Sequence, residues 1–125
     1  MILVDTSVWV DHLRHGNPGL AALLMQGRVL AHPFVVGEIA CGSLNKRAGT
    51  LDLLQQLPTA VVAEASEVLG YIDSRKLHGK GIGYVDVHLL VATALTGGAR
   101  LWTRDRRLHA VAHELGCAHG GSSPH

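Results

Sequence analysis

Ile2-Leu3-Val4-Asp5-Thr6-Ser7 begins as an apolar run and stops at a carboxylate followed by two hydroxyls. Consecutive aliphatic residues without polar alternation read as a strand buried on both faces, as in parallel sheets. Ile2-Leu3-Val4 is therefore read as the central strand. In open parallel sheets ligands gather beyond the carboxyl ends of the strands, which is where Asp5 stands. Alone, such an acid is equally a helix cap. The choice depends on whether other acids fall in comparable places.

Outward from this stretch, short apolar runs alternate with helical patterns. Strands are expected over 2–4, 29–31, 60–62, 101–103 and, more weakly, 117–118; helices over 8–14, 20–25, 34–41, 51–57, 64–76, 85–96 and 107–115. Pro33 suits the first turn of a helix that Gly42 closes, and Gly97-Gly98 ends the helix starting at Val85. The alternation predicts a single α/β domain, residues 1–119, with a parallel sheet covered by helices on both faces. Residues 120–125, Gly-Gly-Ser-Ser-Pro-His, read as a flexible tail.

The 125 residues suit one domain. Hydrophobic residues make up 47% and aromatics 4%, so the core is built from Leu, Val and Ala and disorder is excluded. With 11 Lys plus Arg against 10 Asp plus Glu, the overall charge announces no nucleic acid. Cys41 and Cys117 lie far apart without CxxC spacing, which supports neither a disulfide framework nor a four-thiolate zinc site. A reducing, cytoplasmic setting is expected. The three-residue apolar run before Asp5 does not suit a signal peptide, and no apolar stretch of about 18 residues suits a membrane span.

Asp5 follows the first strand, and Asp105 follows Leu101-Trp102-Thr103 with one Arg between. Asp86 starts a helix, 85–96, that is apolar on nearly every face and is expected to be buried. Glu38 interrupts the otherwise apolar Phe34-Val35-Val36-Gly37-Glu38-Ile39-Ala40-Cys41. Each has a plain structural reading: caps for Asp5 and Asp86, a turn for Asp105, an outward position for Glu38. If the four converge, their repulsion raises their pKa values unless a cation intervenes. Mg²⁺ or Mn²⁺ suits a carboxylate set and keeps waters that phosphate oxygens can replace. Thr6, Ser7 and Thr103 would orient the carboxylates, and capping would then fall to Thr6 or Ser7.

With those four acids set aside, 11 basic residues face 6 acidic ones. Lys76 and Lys80 precede Asp86, while Arg104 and Arg106 flank Asp105; cations around a metal cleft suit a polyphosphate backbone, and equally suit solvated loops.

Asp5-Thr6-Ser7-Val8-Trp9, Val36-Gly37-Glu38-Ile39-Ala40-Cys41-Gly42, Asp86-Val87-His88-Leu89-Leu90-Val91-Ala92-Thr93-Ala94 and Leu101-Trp102-Thr103-Arg104-Asp105 together resemble the PIN-domain ribonucleases, above all the VapC-type toxins of toxin–antitoxin pairs. The resemblance implies a five-stranded parallel sheet and a Mg²⁺-dependent endoribonuclease, with Mn²⁺ able to substitute, that cleaves RNA and so inhibits translation and growth. It carries Asp5, Glu38, Asp86 and Asp105 onto the family's four acidic positions, as catalytic and metal-holding residues, with Thr6, Ser7 and Thr103 beside them. It further implies a homodimer held inactive by a VapB-like antitoxin. His88 departs from the apolar residue many relatives carry, which leaves the packing of that helix in question. The two early helices, with Val8, Trp9, Val10, Leu13, Leu20, Leu23 and Leu24, would offer the antitoxin a groove.

Other readings compete. His109, His113, Cys117 and His119 suggest zinc, although an HExxH motif is absent. Gly79-Lys80-Gly81-Ile82-Gly83 lacks both phosphate-loop spacings and reads as a flexible loop near Asp86. An acid after the first strand also occurs in phosphoryl-transfer proteins, but position 7 is Ser where a haloacid-dehalogenase-type phosphatase wants Asp. A nucleic-acid-binding module without toxin activity is the remaining alternative.

Overall fold

A computed structural model of the chain describes residues 1–120; most of the expected tail, residues 121–125, lies outside the described residues. Three strands form one parallel sheet: β1 (Ile2–Val4), β2 (Val29–Leu30) and β3 (Arg100–Trp102), in the order β2-β1-β3. Ile2 pairs with Val29 and with Arg100, and Leu3 pairs with Leu30 and with Leu101, so β1 is central as expected. Ile2, Leu3 and Val4 are all buried. Because successive side chains point to opposite faces, both faces of the sheet are covered.

Seven helices surround it among the described residues: α1 (Thr6–His15), α2 (Pro18–Met25), α3 (Pro33–Ala40), α4 (Arg47–Gln56), α5 (Ala65–Arg75), α6 (Tyr84–Leu95) and α7 (Arg106–Glu114). Every expected helix is present, most with ends displaced by one or two residues. Pro33 opens α3, where its missing N–H costs nothing. Gly98 takes φ +73° after α6, a left-handed turn that glycine adopts without penalty. None of the helices is long and apolar enough to cross a membrane among the described residues.

Of the five strands expected, two shrink to single bridges. Residues 60–62 do not form a strand: Thr59 bridges Ala31, Ala60 donates to the Ala31 carbonyl, and then Val61 gives its N–H to the Thr96 hydroxyl at 2.9 Å. The chain is thereby drawn off the sheet edge, leaving Val61 and Val62 exposed. At the other edge Ala118 alone bridges Leu101, directly after the turn at Gly116, φ +76°.

α6 is the buried helix its sequence predicts: Val87 through Thr93 are all buried. Thr93 returns its hydroxyl to the Leu89 carbonyl at 2.7 Å, so its polar group is satisfied inside the core. α5 packs beside α6, and both α6 and α7 pack on β3. This arrangement brings the first turns of α1, α6 and α7 to the carboxyl edge of the sheet.

Candidate functional site

Asp5 leaves β1 and is 7% exposed. Its Oδ1 accepts the Thr6 N–H at 2.7 Å, while Oδ2 accepts the hydroxyls of Ser7 at 2.9 Å and Thr103 at 2.7 Å. Three donors converge on one buried carboxylate, which fixes its orientation. The cap of α1 is Asp5 itself, rather than Thr6 or Ser7.

Thr103 is fully buried and links two acids: as it donates to Asp5, it accepts the Asp105 N–H at 3.0 Å. Asp105 in turn caps α7 through Oδ1 to the Leu108 N–H at 2.9 Å. Ser7 accepts the Arg104 N–H at 3.0 Å, tying the β3–α7 connection to α1. From α3, Glu38 presents Oε1 to the Thr6 hydroxyl at 2.6 Å. The three polar residues picked out from sequence thus connect Asp5, Glu38 and Asp105 into one network.

Asp86 enters from the first turn of α6, where Oδ2 accepts the Gly83 N–H at 2.9 Å. Its pKa is raised, first by burial and then by the charges of Asp5, Asp105 and Glu38, against the opposing Gly83 hydrogen bond. That repulsion is the electrical signature of four acids sharing one region. The Gly79–Gly83 run thus lies beside Asp86, as its sequence suggests, and supplies the Gly83 N–H that no motif in it announces.

The basic residues are less centred. The Arg104 guanidinium reaches Asp11 on α1 at 3.5 Å, and Lys80 reaches Glu114 on α7 at 3.8 Å. Lys76 ends α5 with a left-handed backbone, φ 54°, and Arg106 opens α7 exposed. Arg107 lies across the glycine loop: a Cβ on Gly81 would stand 2.8 Å from its Cδ.

His88 is buried and receives Phe34 and Tyr84 edge-on at 4.6 and 4.7 Å, which answers how α6 accommodates an imidazole there. Burial lowers its pKa. Behind it the wholly buried His32 is held down to about 4 by burial and by His88. Its Nδ1 accepts the Phe34 N–H at 3.0 Å and caps α3.

Among the described residues, no three His, Cys, Asp or Glu side chains stand close enough to enclose an ion unaided. The zinc alternative fails on that ground: His109 is buried, His113 is exposed, and their rings stack 6.5 Å apart without gathering Cys117. The four acids offer only oxygen donors, and their mutual repulsion favours a cation. That donor set fits Mg²⁺ or Mn²⁺, which retain water and need few protein ligands.

The PIN-domain family model matches residues 2–114. Ribonuclease VapC32 from two strains of Mycobacterium tuberculosis, CDC 1551 / Oshkosh and ATCC 25618 / H37Rv, is in each case 49% identical over 118 residues, covering 94% of this chain and 95% of the relative. The chain belongs to the PIN-domain family, among its VapC-type ribonucleases. In this PIN domain the Asp5–Thr103–Asp105 linkage joins the ends of the paired strands β1 and β3, so the sheet itself sets the spacing of two of the acids.

Proposed function

We propose that the protein is the toxin of a VapBC-type toxin–antitoxin pair, an endoribonuclease that hydrolyses RNA phosphodiesters with Mg²⁺ or Mn²⁺. The observation that carries this reading is the hydrogen-bond network that joins Asp5, Glu38 and Asp105 through Thr6 and Thr103, beside an Asp86 carboxyl raised by burial and then by those three acids. A fold does not by itself gather four like charges; they are kept where a cation and an anionic substrate are to be held together.

Asp5, Asp86 and Asp105 are assigned to holding the cation, directly or through water. Bound there, a divalent cation lowers the pKa of a coordinated water and offsets charge on the phosphate oxygens. Asp5 serves by its fixed orientation, because three hydrogen bonds leave it little freedom to turn. Asp105 is held in register with it through Thr103. Glu38 is exposed and faces the site with one oxygen engaged by Thr6, which suits it to orient the attacking water or to hold a second ion. Hydrolysis by in-line attack leaves a 5′ phosphate and a 3′ hydroxyl. Lys76, Lys80, Arg104 and Arg106 are assigned to the RNA backbone; the surface ion pairs of Lys80 and Arg104 are weak enough to exchange for phosphate.

The groove for a VapB-like antitoxin uses only part of the early-helix surface. Val8, Trp9, Leu20 and Leu23 belong to the core. Trp9, Leu13 and Leu24 from those helices, together with Leu53 and Leu57, line a cleft of about 310 Å³ between α1, α2 and α4, with Leu53 exposed by 67%. An amphipathic segment of the antitoxin would bury that apolar strip. A homodimer is the assembly proposed for the toxin, to be measured by sedimentation.

The test is cleavage of single-stranded RNA with and without Mg²⁺, and in Asp5→Asn and Asp86→Asn. Cleavage is expected only with the metal and is expected to vanish in both variants while folding is kept; cleavage that persists in both sinks the assignment.

A further inference from the structure

The chain contains two Trp, two Tyr and one Phe. Trp9 and Trp102 are core residues, and Tyr71 is half-buried with the Arg75 guanidinium 5.4 Å over its ring. The remaining two, Phe34 and Tyr84, are exposed by 37% and 47%. Both lie in the first turn of a helix that carries an acid of the site. Phe34 precedes Glu38 by one turn of α3; Tyr84 stands two residues before Asp86 on another face of α6 and joins Phe34 through their shared contact with His88. Residues four apart share a helix face, so Phe34 and Glu38 look the same way.

The two rings have a common support. His88, 4% exposed, meets Phe34 at 4.6 Å with the planes at 63°, and Tyr84 at 4.7 Å with the planes at 88°. His32 braces Phe34 from beneath at 5.2 Å and 73°. Edge-on contact with a buried ring fixes an aromatic side chain while leaving its remaining surface open. Rings held in this way have little rotamer freedom to lose when a flat ligand lies on them.

We propose that Phe34 and Tyr84 are a stacking platform for unpaired nucleobases, on the rim of the acid site. This deepens the ribonuclease reading, on which it rests, by assigning two side chains of this chain to hold the unpaired bases of the substrate. The occupant follows from what adjoins the platform. A ligand that is planar and apolar on its bases and anionic on its backbone satisfies both the rings and, through a bound cation, the carboxylates beside them. Every base offers a π-face to an aromatic ring, whereas a duplex keeps those faces covered.

The platform is tested by RNA binding in an Asp5→Asn parent, using fluorescence anisotropy of a labelled random-sequence single strand of about 12 nucleotides and of a duplex of equal length. Phe34→Ala and Tyr84→Ala are each expected to weaken single-strand binding by about 5- to 100-fold, as for loss of one stacked base, and duplex binding by less than about 2-fold. Tyr84→Phe, which keeps the ring, is expected to match the parent. In proteins retaining Asp5, the loss should appear in KM with kcat held within about threefold. Phe34→Leu, which keeps apolar bulk, replaces Phe34→Ala if the latter does not fold. Four results overturn the platform: unchanged single-strand binding, equal weakening for single strand and duplex, no single-strand binding by the parent, or conversion of a dimer to monomers by either alanine variant. Failure of the ribonuclease reading is seen separately, as absence of Mg²⁺-dependent cleavage of the same RNA by the wild type.

Discussion

Thr103→Val isolates the hydroxyl that joins Asp5 to Asp105. The site is wholly buried, and valine has nearly the volume of threonine, so packing is preserved while the hydrogen bonds to Asp5 and Asp105 and a longer 3.4 Å contact to the Ser7 hydroxyl are removed. The bond to Asp5 Oδ2, at 2.7 Å, involves a charged acceptor and is worth about 1.5–3 kcal/mol. The Asp105 N–H, at 3.0 Å, loses its acceptor and adds about 1 kcal/mol. A loss of about 2.5–4 kcal/mol is expected from a total on the order of 5–15 kcal/mol. For a chain of this size that corresponds to a fall in Tm of about 8–16 °C. Urea unfolding followed by fluorescence of the buried Trp9 and Trp102 measures it, as a lower midpoint with unchanged slope. RNA cleavage should fall as well, because Asp5 keeps only the Thr6 and Ser7 donors and Asp105 is no longer tethered to it. Thr103→Ser retains both bonds and loses one methyl group, at about 1 kcal/mol. A valine variant within about 0.5 kcal/mol of wild type, or a serine variant less stable than the valine one, would refute this account of the hydroxyl.

Burial and the neighbouring acids raise the Asp86 pKa, so its ionisation disfavours the folded state. Asp86→Asn should therefore be more stable than wild type in chelator at pH 7, with the difference fading as pH falls through the raised value and vanishing below the ordinary 3.8; urea midpoints across that range measure it. His32 carries the opposite sign, its pKa lowered from 6.5 to about 4. The stability it contributes is present above pH 6.5 and is lost as pH falls from there towards 4, so His32→Asn, which keeps a capping acceptor, should show a flatter acid limb in thermal melts. Gly81→Ala combines φ +78° with a Cβ 2.8 Å from Arg107 Cδ, and should cost about 1–2 kcal/mol. Part of that cost should disappear in an Arg107→Ala background, as a double-mutant cycle of melting temperatures would reveal. Leu53→Glu should abolish co-purification with the antitoxin while leaving Tm within a few degrees, since Leu53 is 67% exposed; retention of the partner would remove α4 from the groove.

The elements that sequence made legible are those whose signals are local. Ile2-Leu3-Val4 carries its own burial pattern, and α6 could be read as buried because apolar residues occupy nearly every face. The strand expected over 60–62 fails for a reason no local pattern contains. Val61 and Val62 favour a strand by type, yet the Thr96 hydroxyl, 35 positions away, takes the Val61 N–H. The convergence of the acids was inferable from their placement at strand and helix ends. The partners of each acid were not, since Thr103 to Asp5 spans 98 positions and Thr6 to Glu38 spans 32.

The question of whether Asp5 is a cap or a site residue dissolves once the oxygens are considered separately. Asp5 Oδ1 accepts from Thr6 at the start of α1, Asp105 Oδ1 from Leu108 in α7, and Asp86 Oδ2 from Gly83 at the start of α6. In each case one oxygen is bonded to a backbone N–H at a helix N-terminus, which fixes the carboxylate plane. The positive ends of three helix dipoles are thus turned toward three mutually repelling charges, each interaction being worth about 0.3–1 kcal/mol. Capping is what makes the cluster tolerable before a cation arrives. Glu38, in the middle of α3, has no helix N-terminus to hold it and relies on the Thr6 hydroxyl alone, which sets it apart from the three aspartates.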